Sequence, residues 1–205
     1  TWYYLSGSGA MQTGWLSKGG SWYWLDPDSG AMATGWAKAA DGKWYYFEGS
    51  GAMRSGGWMK QGGTWYYLSG SGAMQTGWLS KGGSWYWLDP DSGAMATGWE
   101  KASDGKWYYF EGSGAMQSSR WLKQGTAWYY LSGSGAMQTG WLLTGGAWYW
   151  MDPESGMMAT GWLENGGSWY YLDPSSGAMA TGTAVIDGTR YIFDDSGACA
   201  DFVDE

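Results

Sequence analysis

Trp15, Trp22 and Trp24 fall within ten residues of one another, and the trio returns as Trp78, Trp85 and Trp87. Rings so spaced favour one kind of chemistry. The face of an indole or phenol ring attracts a cation, by roughly 0.5–2 kcal/mol per well-placed contact. A gap walled by Trp and Tyr suits a quaternary ammonium ion, whose charge is spread over methyl groups and which donates no hydrogen bond. Sugars also stack on rings, but they call for hydrogen-bonding side chains alongside. Asn165 is the one Asn, and the Gln residues fall mainly in linkers such as Met11-Gln12-Thr13.

Other chemistries lack their parts. The 205 residues include no His, so the common triads and metal sites are unsupplied. Cys199 is the single Cys, which excludes an internal disulfide and a cysteine zinc cluster. No cofactor is expected. Asp26 and Asp28, repeated as Asp89/Asp91 and Asp152/Glu154, could suggest the carboxylate pair of a glycosidase. They flank Pro27, Pro90 and Pro153, so a turn explains them better, and the chain reads as non-catalytic. A net charge of −8 argues against nucleic acid. No apolar run approaches membrane-spanning length. The chain opens at Thr1 in mid-phrase, as a fragment or a mature C-terminal portion would.

The elements that hold the rings repeat. Met11, Met32, Met53, Met74, Met95, Met116, Met137, Met158 and Met179 are spaced 21 residues apart. Residues 1–36 equal residues 64–99 letter for letter, which superimposes a period of 63. Each unit reads as a β-hairpin. In Trp15–Trp24 a Gly19-Gly20 turn pairs Lys18 with Ser21, Ser17 with Trp22 and Trp15 with Trp24. Alternation then puts Trp15, Trp22 and Trp24 on one face and Tyr23 on the other. Units with one more residue between the Trp pair, Trp36 to Trp44 and Trp99 to Trp107, need a three-residue loop to keep that face, and Ala40-Asp41-Gly42 supplies one. The middle Tyr of each run (Tyr23, Tyr45, Tyr66, Tyr86, Tyr108, Tyr129, Tyr149 and Tyr170) reads as core.

A lone hairpin of this size buries too little to be stable. Stacked hairpins are stable as a solenoid. The expectation is an all-β, elongated hairpin solenoid of about nine to ten units of roughly 21 residues. Residues 1–182 form the array, and residues 183–205 form a degenerate C-terminal capping repeat and tail.

Gly14-Trp15…Gly20-Ser21-Trp22-Tyr23-Trp24-Leu25…Gly30-Ala31-Met32-Ala33-Thr34-Gly35-Trp36 resembles the choline-binding repeat of bacterial surface proteins, autolysins and phage lysins. The resemblance covers nearly the whole chain. It implies a left-handed superhelix, secretion to the bacterial cell surface, and cages between successive units for choline on teichoic or lipoteichoic acid. Two aromatics would come from one hairpin and a third from the next. The implied cages are Trp15, Trp22 and Tyr46; Trp36, Trp44 and Tyr67; Trp58, Trp65 and Trp87; and Trp78, Trp85 and Tyr109. Three more follow: Trp99, Trp107 and Tyr130; Trp121, Trp128 and Trp150; and Trp141, Trp148 and Tyr171. A repeat Met would close a wall of each. Some members pair through terminal repeats, which adds a homodimer to the expectations. Related repeats with more Tyr and fewer Trp bind α-glucans or host glycans, so a glycan-binding module is the rival reading.

Three departures modify these expectations. Thr183, Arg190 and Ile192 stand at the ring positions of the last unit, so a cage from Trp162 and Trp169 would lack its third wall, and Cys199 falls near the place of the last Met. Extra residues before Trp58 and Trp121 predict an irregular step. Trp2 and Tyr4 have no Trp ahead of them.

Overall fold

The computed structural model describes residues 1–203. The chain divides into two compact units, Thr1–Gly98 with Phe110–Met116, and Trp99–Tyr109 with the chain from Gln117 onward. Both are all-β, and each is a solenoid of hairpins.

The first unit carries β1 (Gly14–Lys18) with β2 (Ser21–Leu25), β3 (Gly35–Lys38) with β4 (Trp44–Phe47), β5 (Gly57–Gln61) with β6 (Thr64–Leu68), and β7 (Gly77–Lys81) with β8 (Ser84–Leu88). The pair β9 (Gly98–Lys101) and β10 (Trp107–Phe110) follows. The second unit continues with β11 (Arg120–Gln124) and β12 (Ala127–Leu131), β13 (Gly140–Thr144) and β14 (Ala147–Met151), then β15 (Gly161–Asn165) and β16 (Ser168–Leu172). It ends in a three-stranded sheet of β17 (Gly182–Ile186), β18 (Thr189–Phe193) and β19 (Cys199–Val203). Nine hairpins among the described residues match the repeat count read from the sequence.

Register follows turn chemistry. Across the Gly19-Gly20 turn, Trp15 pairs with Trp24, Ser17 with Trp22 and Lys18 with Ser21. In the longer class Trp36 pairs with Tyr46 and Lys38 with Trp44. The Ala39 amide binds the Lys43 carbonyl at 3.0 Å, leaving Ala40-Asp41-Gly42 as the loop, with Gly42 left-handed at φ 79°. The extra residue keeps both Trp side chains on one face. The insertion before Trp121 is absorbed locally: Ser119 turns left-handed (φ 53°) and its amide binds the Ser132 carbonyl at 2.8 Å.

Stacking is secured by two devices. The first is, within each unit, a column formed by the last residue of each second strand: Leu25, Phe47, Leu68, Leu88 and Phe110 in the first unit, and Leu131, Met151, Leu172 and Phe193 in the second, are all buried. Burying one such side chain contributes about 1.5–3 kcal/mol. The second is the segment after each hairpin, Gly-Ala-Met in most units. It bridges back to its own second strand, as Leu68 does with Met74, and its Met amide reaches the hairpin before. The Met53, Met74 and Met95 amides bind the Trp22, Trp44 and Trp65 carbonyls at 2.7, 2.8 and 2.8 Å. The Met74 side chain then lies where a Cβ on Gly93 would stand, and Gly93 is left-handed at φ 73°. No other residue type meets both conditions without strain. Among the described residues no helix is long and apolar enough to cross a membrane.

Candidate functional site

Open clefts recur on the Trp face of the hairpins. In the first unit one is lined by Trp15, Trp22, Tyr45 and Met53, with Ser55 and Ser71 at the rim and a volume of about 470 Å³. A second is formed by Trp36, Trp44, Tyr66 and Met74, rimmed by Asp91 and Ser92, with about 230 Å³. Trp58, Trp65, Tyr86 and Met95 line a third of about 180 Å³, with Ser113 at the rim. The second unit holds Trp99, Trp107, Tyr129 and Met137 around about 270 Å³, rimmed by Glu154 and Ser155.

Each side chain is placed by its element. Trp15 and Trp22 come from the two strands of one hairpin and meet edge-on, with centroids 6.2 Å apart at 88°. The next hairpin supplies the third ring, Tyr45, 4.8 Å from Trp15 at 80°. The equivalent distances are 5.0 Å for Trp36–Tyr66, 4.8 Å for Trp58–Tyr86 and 5.0 Å for Trp99–Tyr129. The same arrangement recurs as Trp121–Tyr149 at 4.9 Å and Trp141–Tyr170 at 4.8 Å. Trp22, Trp44, Trp65, Trp107, Trp128 and Trp148 remain exposed, so indole surface is open to a ligand.

The third walls therefore differ from those expected. Tyr46, Tyr67, Trp87, Tyr109, Tyr130, Trp150 and Tyr171 do not take that place. Each packs on the first Trp of its own hairpin: Tyr46 on Trp36 at 5.3 Å, Tyr67 on Trp58 at 5.2 Å, and Tyr109 on Trp99 at 5.3 Å. Trp87 packs on Trp78, Tyr130 on Trp121, Trp150 on Trp141 and Tyr171 on Trp162. Trp87 is only 3 % exposed and has no free face to offer. The reason is strand alternation carried through a stack. The face that meets one hairpin's Trp pair is the back of the next hairpin, and the residue pointing backward is the middle Tyr. That Tyr is thus both packing residue and cleft wall. Trp78 and Trp85 form the expected pair, 6.2 Å apart at 87°.

The Met that closes each cleft follows a rule absent from the sequence reading: it is the one whose amide binds the carbonyl of the second Trp. Met137 bonds Trp107 in this way, and Met158 and Met179 do the same at Trp128 and Trp148, all at 2.8 Å. The extra residues before Trp58 and Trp121 leave their ring groups intact. Trp162 and Trp169, 6.4 Å apart, also gain a third ring, because Tyr191 stands 4.8 Å from Trp162. The wall expected to be missing is present because Thr183, Arg190 and Ile192 lie on the opposite face of the hairpin from Tyr191. Cys199 pairs with Phe193 as Met179 does with Leu172.

Polar groups secure the rings rather than fill the clefts. The Tyr45 hydroxyl donates to Asp41 Oδ2 at 2.8 Å. Burial, and then the Asp41 carboxylate, push the Tyr45 phenol up to about 12. The paired acids serve turns: Asp26 Oδ1 accepts from the Ser29 amide at 2.8 Å and the Ser29 hydroxyl at 2.7 Å. Those bonds hold the Asp26 carboxyl below its ordinary range. Among the described residues no His, Cys, Asp or Glu cluster could hold a metal ion.

The sequence profile of the choline-binding repeat matches residues 1–35, 55–98, 92–121, 122–160 and 154–183, and that of a cell wall binding repeat matches residues 34–53. Among solved structures, CbpJ of Streptococcus pneumoniae is 31 % identical, with 97 % of this chain and 90 % of that one covered and a TM-score of 0.65. Choline binding protein F of the same organism is 29 % identical over 97 % and 89 %, with a TM-score of 0.63. The choline-binding domain of CbpL, also from S. pneumoniae, is 30 % identical over 95 % and 100 %, with a TM-score of 0.68. No curated protein sequence matches the chain.

Proposed function

The chain belongs to the choline-binding repeat family, and on that premise we propose that it is a non-catalytic attachment module. Its ring clefts hold choline displayed on teichoic or lipoteichoic acid, and it acts at the bacterial cell surface. The observation that carries this reading is the cleft itself: two edge-on Trp rings, a Tyr and a Met around an open space, repeated along the chain. Such walls stabilise a methylated cation by about 0.5–2 kcal/mol per ring and offer few groups to a ligand needing hydrogen bonds. A single site is weak. Many sites on one polymer give avidity well beyond any of them. The repeat at 183–205 caps the array; Asp204 and Glu205 lie outside the described residues.

Hydroxyls and carboxylates at the rims, such as Ser71 and Asp91, favour one second reading, a glycan stacked on the rings. Titration of intrinsic Trp fluorescence with choline, beside equal concentrations of maltose or isomaltose, separates the two. A saturable change with choline alone is expected. A response to sugar alone overturns the choline reading.

A further inference from the structure

The clefts share their rings but not their rims. Asp91 borders the Trp36–Trp44 cleft, and Glu154 borders the Trp99–Trp107 cleft. Both acids lie 55 residues beyond the first Trp of their cleft and 63 residues from one another. The Trp58–Trp65 and Trp15–Trp22 clefts have serine at the rim but no acid. A cross-strand lysine does not account for the difference. Lys38 pairs with Trp44 and Lys60 with Trp65, so a carboxylate-rimmed cleft and a serine-rimmed one both carry it.

The fold does not need these two acids. Each turn uses its first Asp: Asp89 Oδ1 accepts from the Ser92 amide at 2.8 Å and hydroxyl at 2.6 Å. Asp152 does the same for Ser155, at 2.7 Å each. Ser175 fills the second position of the corresponding turn after Asp173 without an acid. The Asp91 and Glu154 carboxylates have no hydrogen-bond or ion-pair partner among the described residues. They line the rim of a cleft whose rings attract cations.

From this we infer that Asp91 and Glu154 set ligand preference among the clefts. They favour a trimethylammonium alcohol over the same cation linked to phosphate, whereas serine-rimmed clefts accept both. The inference rests on the quaternary-ammonium reading above. The phosphate of phosphocholine, a monoester, carries about −1.5 to −2 charges at neutral pH. Held at the same rim it lies within the Debye length of the carboxylate, about 8 Å at physiological ionic strength. Serine hydroxyls and amides can donate to it instead. The two acids recur with the 63-residue period, so one chain carries two kinds of site.

The test uses the full chain and two probes, choline and phosphocholine. Indole N–H resonances of Trp44 and Trp65, assigned with Trp→Phe variants, report each cleft separately. The ratio of phosphocholine Kd to choline Kd should be about two- to fivefold higher at Trp44 than at Trp65, the scale of an exposed charge pair. Added salt should narrow the gap. D91N should bring the Trp44 ratio to the Trp65 value, while D28N, in the same turn position but bordering none of the four clefts, should leave it unchanged. Equal ratios in the parent chain, or a gap that survives D91N, overturn the inference and leave the ammonium reading standing. If neither probe moves either resonance, the ammonium reading falls and the inference falls with it.

Discussion

The β15–β16 hairpin and the β17–β18 hairpin follow one another in the second unit, and the rings of one face are kept in the first and lost in the second. Their registers agree: Gly161 pairs with Leu172 and Gly182 with Phe193, and both second strands end in a buried apolar residue. Their backs agree as well, since Tyr170 stands 4.8 Å from Trp141 and Tyr191 stands 4.8 Å from Trp162. Their fronts part company. Trp162, Trp169 and Tyr171 become Thr183, Arg190 and Ile192. A hairpin therefore has three separable tasks: filling the inner column, completing the preceding cleft, and opening a new one. The last hairpin performs the first two, and β18 pairs with β19.

The largest expected effect breaks the inner column. Phe193 is 2 % exposed, and Phe193→Ala should cost about 3–5 kcal/mol. Ile192 is its neighbour but 39 % exposed, so Ile192→Ala should stay within about 0.5 kcal/mol. Repeat arrays unfold unit by unit, so hydrogen exchange of the β18 amides is the suitable measure. Similar losses for both variants would mean that the front face also stabilises the terminal hairpin.

A smaller effect separates back from front. Tyr191→Leu removes the third ring at Trp162 and Trp169, and Ile192→Ala removes nothing from that group. Calorimetric titration with choline should show one site fewer in the first variant and an unchanged count in the second. An unchanged count in Tyr191→Leu would show that the Trp pair suffices without the Tyr.

The repeat, the hairpins, the register and the loop that corrects an odd spacing were all legible in the sequence. Each is local, set by Gly-Gly or Asp-Gly turns and by alternation within a strand. The Trp pairs were legible for the same reason. The third wall was not, because Tyr45 and Tyr46 differ only in which neighbouring hairpin they face. Alternation gave the two Tyr residues opposite faces; what it could not say is which face the preceding hairpin meets. Nor could the sequence match Met53 to Trp22 across thirty-one positions, since a backbone hydrogen bond between hairpins makes that match. Tyr191 was legible in hindsight. It keeps the phase of Tyr170, and the replaced ring positions around it drew attention to the wrong face.

The smallest effect compares the two loop classes. The Asp41 loop ties a cleft Tyr by its hydroxyl, which a Gly-Gly turn has no side chain to do. The Lys43 amide, and then the Tyr45 hydroxyl, hold the Asp41 carboxyl below its ordinary 3.8. Its stabilising contribution is thus present above that value and lost as pH falls through the depressed one. Tyr45 has the opposite sign. Burial first, and Asp41 second, push its phenol from 10 to about 12, so its contribution is complete below 10 and lost as pH rises through about 12. Asp41→Asn removes the charge and keeps the shape. The ultraviolet titration of Tyr45 should then move part of the way back toward 10, because burial remains. Tyr108, which donates to Asp104 at 2.8 Å and is also pushed up to about 12, should keep its midpoint in that variant and shift in Asp104→Asn. A Tyr45 midpoint unmoved by Asp41→Asn would assign the whole shift to burial. The ring would then owe its position to packing against Trp15, as the middle Tyr residues beside Gly-Gly turns do.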